Sequence, residues 1–205
     1  KYMDYIYEGF REAIKLLLGF DREVYGIISL SLFVSTTATI ISSLICIPIG
    51  IHLGIKEFRG KKAFSRTLYT FMSIPSVIVG LVVAIVLSRR GPFGRFDLLY
   101  TSKATIIAQT LLVTPLILGL TYSLSRSRGK EIEKIGITLG ANKKDIILLT
   151  IKELKVDLIV NIVTAFSRAI SEVGAVMIVG GNIKNRTRVI TTTISMMNSM
   201  GDYPM

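Results

Sequence analysis

The chain has 205 residues, half of them hydrophobic, with 25 Lys+Arg against 14 Asp+Glu and a formal net charge of +11. Its mean hydropathy is +0.56, and uncharged runs recur at the length of about 20 residues that a helix needs to cross a ~30 Å hydrocarbon core. That excludes an ordinary soluble domain in favour of a polytopic all-α membrane bundle, and it assigns the positive charge to topology and anionic headgroups rather than to nucleic acid.

Residues 1–23 mix acids and bases and lack a short apolar core with a small-residue cleavage site, so they are not a signal peptide. Met3 followed by Asp4 is compatible with a natural start, with Lys1 and Tyr2 left from something upstream. Ile6, Phe10, Ile14, Leu17 and Leu18 recur at helical spacing, with Glu8, Arg11, Glu12 and Lys15 on other faces. This predicts an amphipathic helix over 4–18, lying in a membrane interface or packed on the protein's own helices.

The first span is predicted over 25–54. It is longer than a perpendicular crossing needs at about 1.5 Å per residue, so it must tilt, bend near Pro48 or project. It holds Cys46, the single cysteine, which leaves no intrachain disulfide framework. It also holds His52, the single histidine, read as an interfacial side chain; several-histidine metal sites are excluded. The loop 56–66 is basic. Gly60-Lys61-Lys62 is not a phosphate-binding loop, because Ile55 stands where the first glycine is needed and Lys62 where Ser or Thr is needed.

A second span is predicted over 67–88, bent at Pro75. The loop 89–103 holds Arg89, Arg90, Gly91, Pro92 and Gly94, which read as turns. A third span follows over 104–124, with Pro115 inside. Then comes a charged insert, 131–156, reading EIEKIGITLGANKKDIILLTIKELKV. Two short helical patterns flank Thr138-Leu139-Gly140-Ala141-Asn142. Gly140 is free to take a positive φ, and Asn142 is placed to cap the second helix with Asp145 in its first turn. Such an insert is either a solvated loop or the part that meets a water-soluble partner.

The fourth span, 154–181, carries Asp157 near its start and Arg168 and Glu172 inside. Each ionised group in hydrocarbon costs about 2.5–3.5 kcal/mol. Four residues apart, Arg168 and Glu172 share a helix face and can neutralise each other, as a pathway-lining site or as a structural ion pair. The remainder, with Lys184, Arg186 and Arg188, reads as a tail too polar for a fifth span. No tryptophan is present, so Tyr25, Tyr69, Tyr100 and Tyr122 are expected to supply the aromatic belt. The segments 55–66 and 126–155 hold 13 Lys+Arg, and 1–23, 89–103 and 182–205 hold 11. The positive-inside rule makes the first set cytoplasmic and the N-terminus external.

The insert resembles the cytoplasmic coupling loop of ABC-importer permeases, whose pattern is Glu-Ala-Ala, three residues, then Gly. Leu139-Gly140-Ala141 matches. Lys134, Ile135 and Gly136 occupy the Glu-Ala-Ala positions, with Glu133 one place earlier, and the usual proline after the second helix is missing. The stretch 167–194, SRAISEVGAVMIVGGNIKNRTRVITTTI, resembles permeases for molybdate-like oxyanions. Ser171, Val173, Val176 and Gly181 lean towards the tungstate type. The resemblance runs from about Met3 to the end, through Leu87-Ser88-Arg89, Gly91-Pro92 and 106–115.

The resemblance implies a type I importer permease: one transmembrane domain over 1–205, with a further C-terminal helix that relatives carry and this chain lacks. It implies two copies around a translocation path, cytoplasmic ATPase subunits, an extracytoplasmic oxyanion-binding protein and lipid. ATP would be bound by the partner, leaving the permease without cofactor or catalysis of its own. Glu133, Gly136, Leu139, Gly140, Ala141 and Lys144 would couple to the ATPase. Arg168, Ser171 and Glu172 would form the pathway or buried polar pair. The alternatives are a molybdate or related oxyanion importer, a passive channel or assembly subunit, and an intramembrane enzyme. The last fits poorly: His52 is the only histidine for a serine–histidine pair, and Asp157 and Asp202 make a poor aspartyl pair.

Overall fold

The computed structural model describes residues 2–201, with side chains from Tyr7 onward except Glu8 and Glu12. The Ile6, Glu8 and Glu12 side chains of the expected amphipathic face, the proposed start at Met3-Asp4 and Asp202 fall outside what it describes. The described residues form α-helices without a strand: α1 (Tyr2–Leu18), α2 (Arg22–Ile55), α3 (Lys61–Met72), α4 (Ser76–Leu87), α5 (Ser102–Leu124), α6 (Lys130–Thr138), α7 (Lys143–Glu153), α8 (Lys155–Ile170), α9 (Gly174–Gly180) and α10 (Ile190–Met200).

The centre is a parallel pair, α2 and α5. Lipid offers no hydrophobic drive for two helices to associate, so small residues that let backbones approach carry the contact. On α2 these are Ser31, Ser35, Ala38, Ser42, Cys46, Gly50 and Gly54, three or four apart on one buried face. A Cβ at Gly54 would lie 2.7 Å from Ser125 Cβ and 2.8 Å from the Tyr122 carbonyl oxygen. Ser42 Oγ donates to the Thr110 carbonyl at 3.1 Å. Thr39, Thr110 and Thr114 return their hydroxyls to their own helix, four residues back. Pro48 and Pro115 sit inside unbroken helices.

Three of the four expected spans differ from the sequence reading. The second begins at Lys61, inside the predicted basic loop, and breaks after Met72. Its halves, α3 and α4, meet at 88°, because Pro75 lacks an amide proton and begins the next helix instead of continuing the last. The third does not end near 124. A π-helical turn, Ser125–Gly129, joins it to α6, giving one 37-residue helix, Ser102–Thr138. Loss of hydropathy there does not stop a helix, since no proline intervenes. The fourth is broken at 171–173, and α8 and α9 are bent by 57°. The predicted tail folds into α10, eleven residues long.

By length and composition, Arg22–Ile55 and Ser102–Thr138 can cross a membrane, and each bent pair passes the same test as one span. Among the described α1 side chains, Phe10, Ile14, Leu17 and Leu18 of the apolar face are exposed. Tyr122 corrects the expected belt. It is fully buried, edge-on to Phe64 with ring centroids 5.6 Å apart, whereas Tyr69 and Tyr100 are exposed.

The loops separate onto two ends. At one, Lys61 donates to the carbonyls of Gly54 at 2.7 Å and Lys56 at 2.9 Å, closing the end of α2. Glu57 pairs there with Lys130, and Arg128 with Asp157 at 2.8 Å. At the other, Glu23 pairs with Lys184 at 2.6 Å, and Ser102 donates to the Arg186 carbonyl at 2.9 Å. These are the two sets of loops that the charge count separated.

Candidate functional site

The helical pair α6–α7 is built by local signals. Leu139 is the C-cap of α6, and Gly140 follows at φ +77°. The amides of Ala141 and Gly140 donate to the carbonyls of Gly136 (2.9 Å) and Ile137 (3.0 Å), a Schellman closure that satisfies two orphan carbonyls. Asn142 then starts α7: its Oδ1 accepts from Lys144 N at 2.9 Å and Asp145 N at 3.1 Å. Asp145 Oδ2 accepts from Asn142 N at 3.1 Å, completing a capping box.

Gly136, expected to touch a partner, is buried. A Cβ there would lie 3.3 Å from Ile146 Cγ1, so this glycine lets α6 lie against α7. Glu133 and Ala141 are half-buried, and Gly140 and Lys144 are exposed. Leu139 is 79% exposed at the tip, flanked by exposed Ile135 and Ile137. The coupling set read from the sequence held Leu139 but not Ile135 or Ile137, although three apolar residues at alternate positions in a charged insert carry the signal. The same end holds Glu57, whose carboxyl is held below the usual carboxylate range, first by the hydrogen bond from Lys130 and also by the Lys61 charge.

The second candidate is a groove of about 540 Å³ where the helix irregularities converge. The α3–α4 break supplies Phe71, Met72 and Ile74, α5 supplies Leu112 and Pro115, α8 supplies Thr164, Ser167 and Arg168, and the break after it supplies Ser171. Arg168 Nη1 lies 3.6 Å from Glu172 Oε2. The two differ in setting: the Glu172 side chain is 2% exposed and that of Arg168 is 46% exposed. Glu172 spends its other oxygen on Ala175 N at 3.1 Å, at the free N-terminus of α9. Thr191 Oγ1 donates to the Glu172 carbonyl at 2.7 Å, and Gln109 Nε2 to that of Ala169 at 3.0 Å. Ser171 Oγ returns to the Arg168 carbonyl at 3.2 Å. The break thus buries the carboxylate and leaves the guanidinium at the groove. Gln109 and Thr191 escaped the sequence reading, although an amide inside an uncharged span is a usable signal.

Residues 46–205 match the family described as the binding-protein-dependent transport system inner membrane component. The chain is 68% identical over 203 residues to the tungstate uptake system permease protein TupB of Peptoclostridium acidaminophilum, covering 99% of this chain and 89% of that protein. It is 39% identical over 182 residues to a probable anion ABC transporter permease protein of Haloferax volcanii, covering 86% and 78%. It is 37% identical over 202 residues to TupB of Campylobacter jejuni, covering 98% and 84%. With its family match over more than three-quarters of its length and its membrane-length helices, the chain belongs to the inner-membrane components of binding-protein-dependent transport systems.

Proposed function

We propose that this chain is the permease subunit of an ATP-driven tungstate importer, with residues 1–205 forming one membrane domain. The carrying observation is the likeness over 203 residues to a protein named as a tungstate uptake permease. Two copies enclose the path. A binding protein delivers the anion on the external side, where the N-terminus also lies. Cytoplasmic ATPase subunits, which bind the ATP, receive the tip of α6–α7 through Leu139, Gly140, Ala141 and Lys144. Gly136 shapes that tip, and Glu133 lies on its flank. The exposed apolar cluster Ile135, Ile137 and Leu139 suits a surface groove on such a partner.

In this reading the Arg168 guanidinium meets the dianion in transit. Glu172 keeps it partly neutralised when the path is empty, and Ser171 and Ser167 offer hydroxyls. One half-exposed cation binds weakly enough to release, as a passage requires. Selectivity between tungstate and molybdate then rests with the binding protein. The deciding assay reconstitutes the whole complex in proteoliposomes and offers tungstate, molybdate and sulfate singly and in competition. Tungstate uptake that depends on ATP and binding protein is expected. Uptake of a sugar, amino acid or metal cation without oxyanion transport overturns the assignment. Equal tungstate and molybdate uptake keeps the importer and removes tungstate from its description.

A further inference from the structure

The loop after α4 is basic where topology disfavours basic residues. It carries Arg89, Arg90, Arg95 and Lys103 against the single acid Asp97. It lies at the end away from α6–α7, since Tyr100 N donates to the Val179 carbonyl at 3.0 Å and Ser102 Oγ to that of Arg186. Among the described residues no carboxylate pairs with Arg89, Arg90 or Arg95, and all three are exposed. On the external side that the proposed function gives this end, positive charge works against the positive-inside rule, and the inference rests on that reading.

The loop is also built. Phe93 N donates to the Val86 carbonyl at 3.1 Å and Gly91 N to that of Ser88 at 2.7 Å, folding the chain back over the end of α4. A Cβ at Gly91 or Gly94 would collide with the carbonyls of Ile85, Val86 and Ser88. This fold stacks Phe93 on Phe96, with centroids 6.3 Å apart, and sets Arg95 Cζ 4.8 Å from the Phe96 centroid. Both rings are about half exposed. They cap an apolar groove of about 480 Å³ between α4 and α5, floored by Val83, Val86, Ile107 and Leu111. Through Val82, Val83 and Leu111 it continues into a second apolar groove of about 550 Å³ reaching Leu118, whose far wall of Phe71, Ile74 and Pro115 is shared with the groove at Arg168 and is left to that groove. From Ile107 to Leu118 an α-helix rises roughly 16 Å, about one leaflet of a ~30 Å core.

We propose that this loop and groove bind one anionic phospholipid. Its phosphate sits among Arg89, Arg90 and Arg95, and an acyl chain lies along α4–α5 beneath Phe93 and Phe96. Three exposed guanidiniums with no carboxylate partner among the described residues, above an apolar groove, match a molecule charged at one end and greasy along the rest.

The chain has no tryptophan, so Phe93→Trp installs a single fluorophore at the mouth of the groove. The full-length permease carrying it is placed in phosphatidylcholine vesicles. Phosphatidylglycerol or phosphatidylcholine with brominated acyl chains is added at equal mole fraction. Several-fold stronger quenching by the brominated phosphatidylglycerol is expected. That preference should vanish in the triple variant Arg89→Gln, Arg90→Gln, Arg95→Gln, while quenching by brominated phosphatidylcholine persists as the sign of an intact groove. If the Gln variant loses both signals, the corresponding triple Lys variant decides. The preference survives there if charge holds the headgroup, and its absence overturns the proposal. Equal quenching by both lipids in the parent protein reduces the groove to bulk lipid contact and overturns it. No quenching by either means that protein, such as a second copy or the binding protein, covers the groove, and overturns it equally.

Discussion

At the scale of single residues, Glu172 has two separable duties. It offsets Arg168, and it caps α9 through Ala175 N. Glu172→Gln keeps an oxygen for the cap and removes only the charge. Deleting one partner of a buried pair typically costs about 3–5 kcal/mol. With the Arg168 side chain half exposed, screening should hold the loss below that range. Glu172→Ala removes the cap as well, worth roughly 1 kcal/mol more. Thermal unfolding of the purified permease should therefore rank wild type, Gln, then Ala. A Gln variant as unstable as Ala would mean that the cap contributes nothing. The double variant Arg168→Met with Glu172→Met tests the path itself: it should fold yet fail to transport tungstate, whereas a merely structural pair would let it transport.

At the scale of elements, the coupling tip and the α2–α5 contact respond to substitution for different physical reasons. Gly140 has open space around its Cα but sits at φ +77°, so Gly140→Ala costs about 1–2 kcal/mol in backbone strain alone. Gly140→Trp adds bulk at the tip and should uncouple ATP hydrolysis from transport while the permease stays folded; normal transport would refute that. Lys134→Ala should matter less. Gly54 has ordinary helical geometry but no room, so Gly54→Ala should destabilise the bundle by about 1–3 kcal/mol through overpacking. A denaturation series in detergent measures the difference.

The tip was legible in the sequence because its causes are local: a glycine free to take positive φ, and an Asn with an Asp three residues on. The break at 171–173 was not legible. It depends on a glutamate turning back to a backbone amide within an apolar run, which periodicity does not register. Tyr122 was misplaced for a related reason. Falling hydropathy marks a span end near Leu124, but the helix runs on to Thr138, leaving that ring inside the bundle. The two membrane-length helices and the approach of Arg168 to Glu172 were readable because length and charge impose them, whereas the helix face that the pair was expected to share ends at the break, before Glu172.

At the scale of the whole molecule, the two ends make an orientation test direct. Cys46 is buried, so it should resist membrane-impermeant thiol reagents. Leu139→Cys should be labelled only from the cytoplasm and Arg186→Cys only from outside; the reverse pattern would invert the protein. The pairing of Glu57 with Lys130 ties the α2–α3 loop to the base of α6 at the end that carries α6–α7. The Glu57 carboxyl is held low, so this tie is present above the ordinary carboxylate pKa of about 4.3 and is lost as pH falls through the lowered value. Coupled ATPase activity of Glu57→Gln should accordingly show less acid sensitivity than wild type below the ordinary carboxylate pKa of about 4.3.

The parallel pairing of α2 with α5 has a consequence for how the protein is made. Ser42 and its partner Thr110 lie 68 residues apart, and at about 5–20 residues per second the ribosome needs roughly 3–14 seconds to supply the second after the first. Throughout that interval the seryl and glycyl face of α2 stands in the bilayer without its mate. The hydroxyl bonds of Ser31 and Thr39 to their own helix, at 2.8 Å each, keep those groups satisfied while it waits. Nascent chains arrested before residue 125 should therefore leave α2 open to cross-linking by the insertion machinery, and chains arrested well beyond it should not.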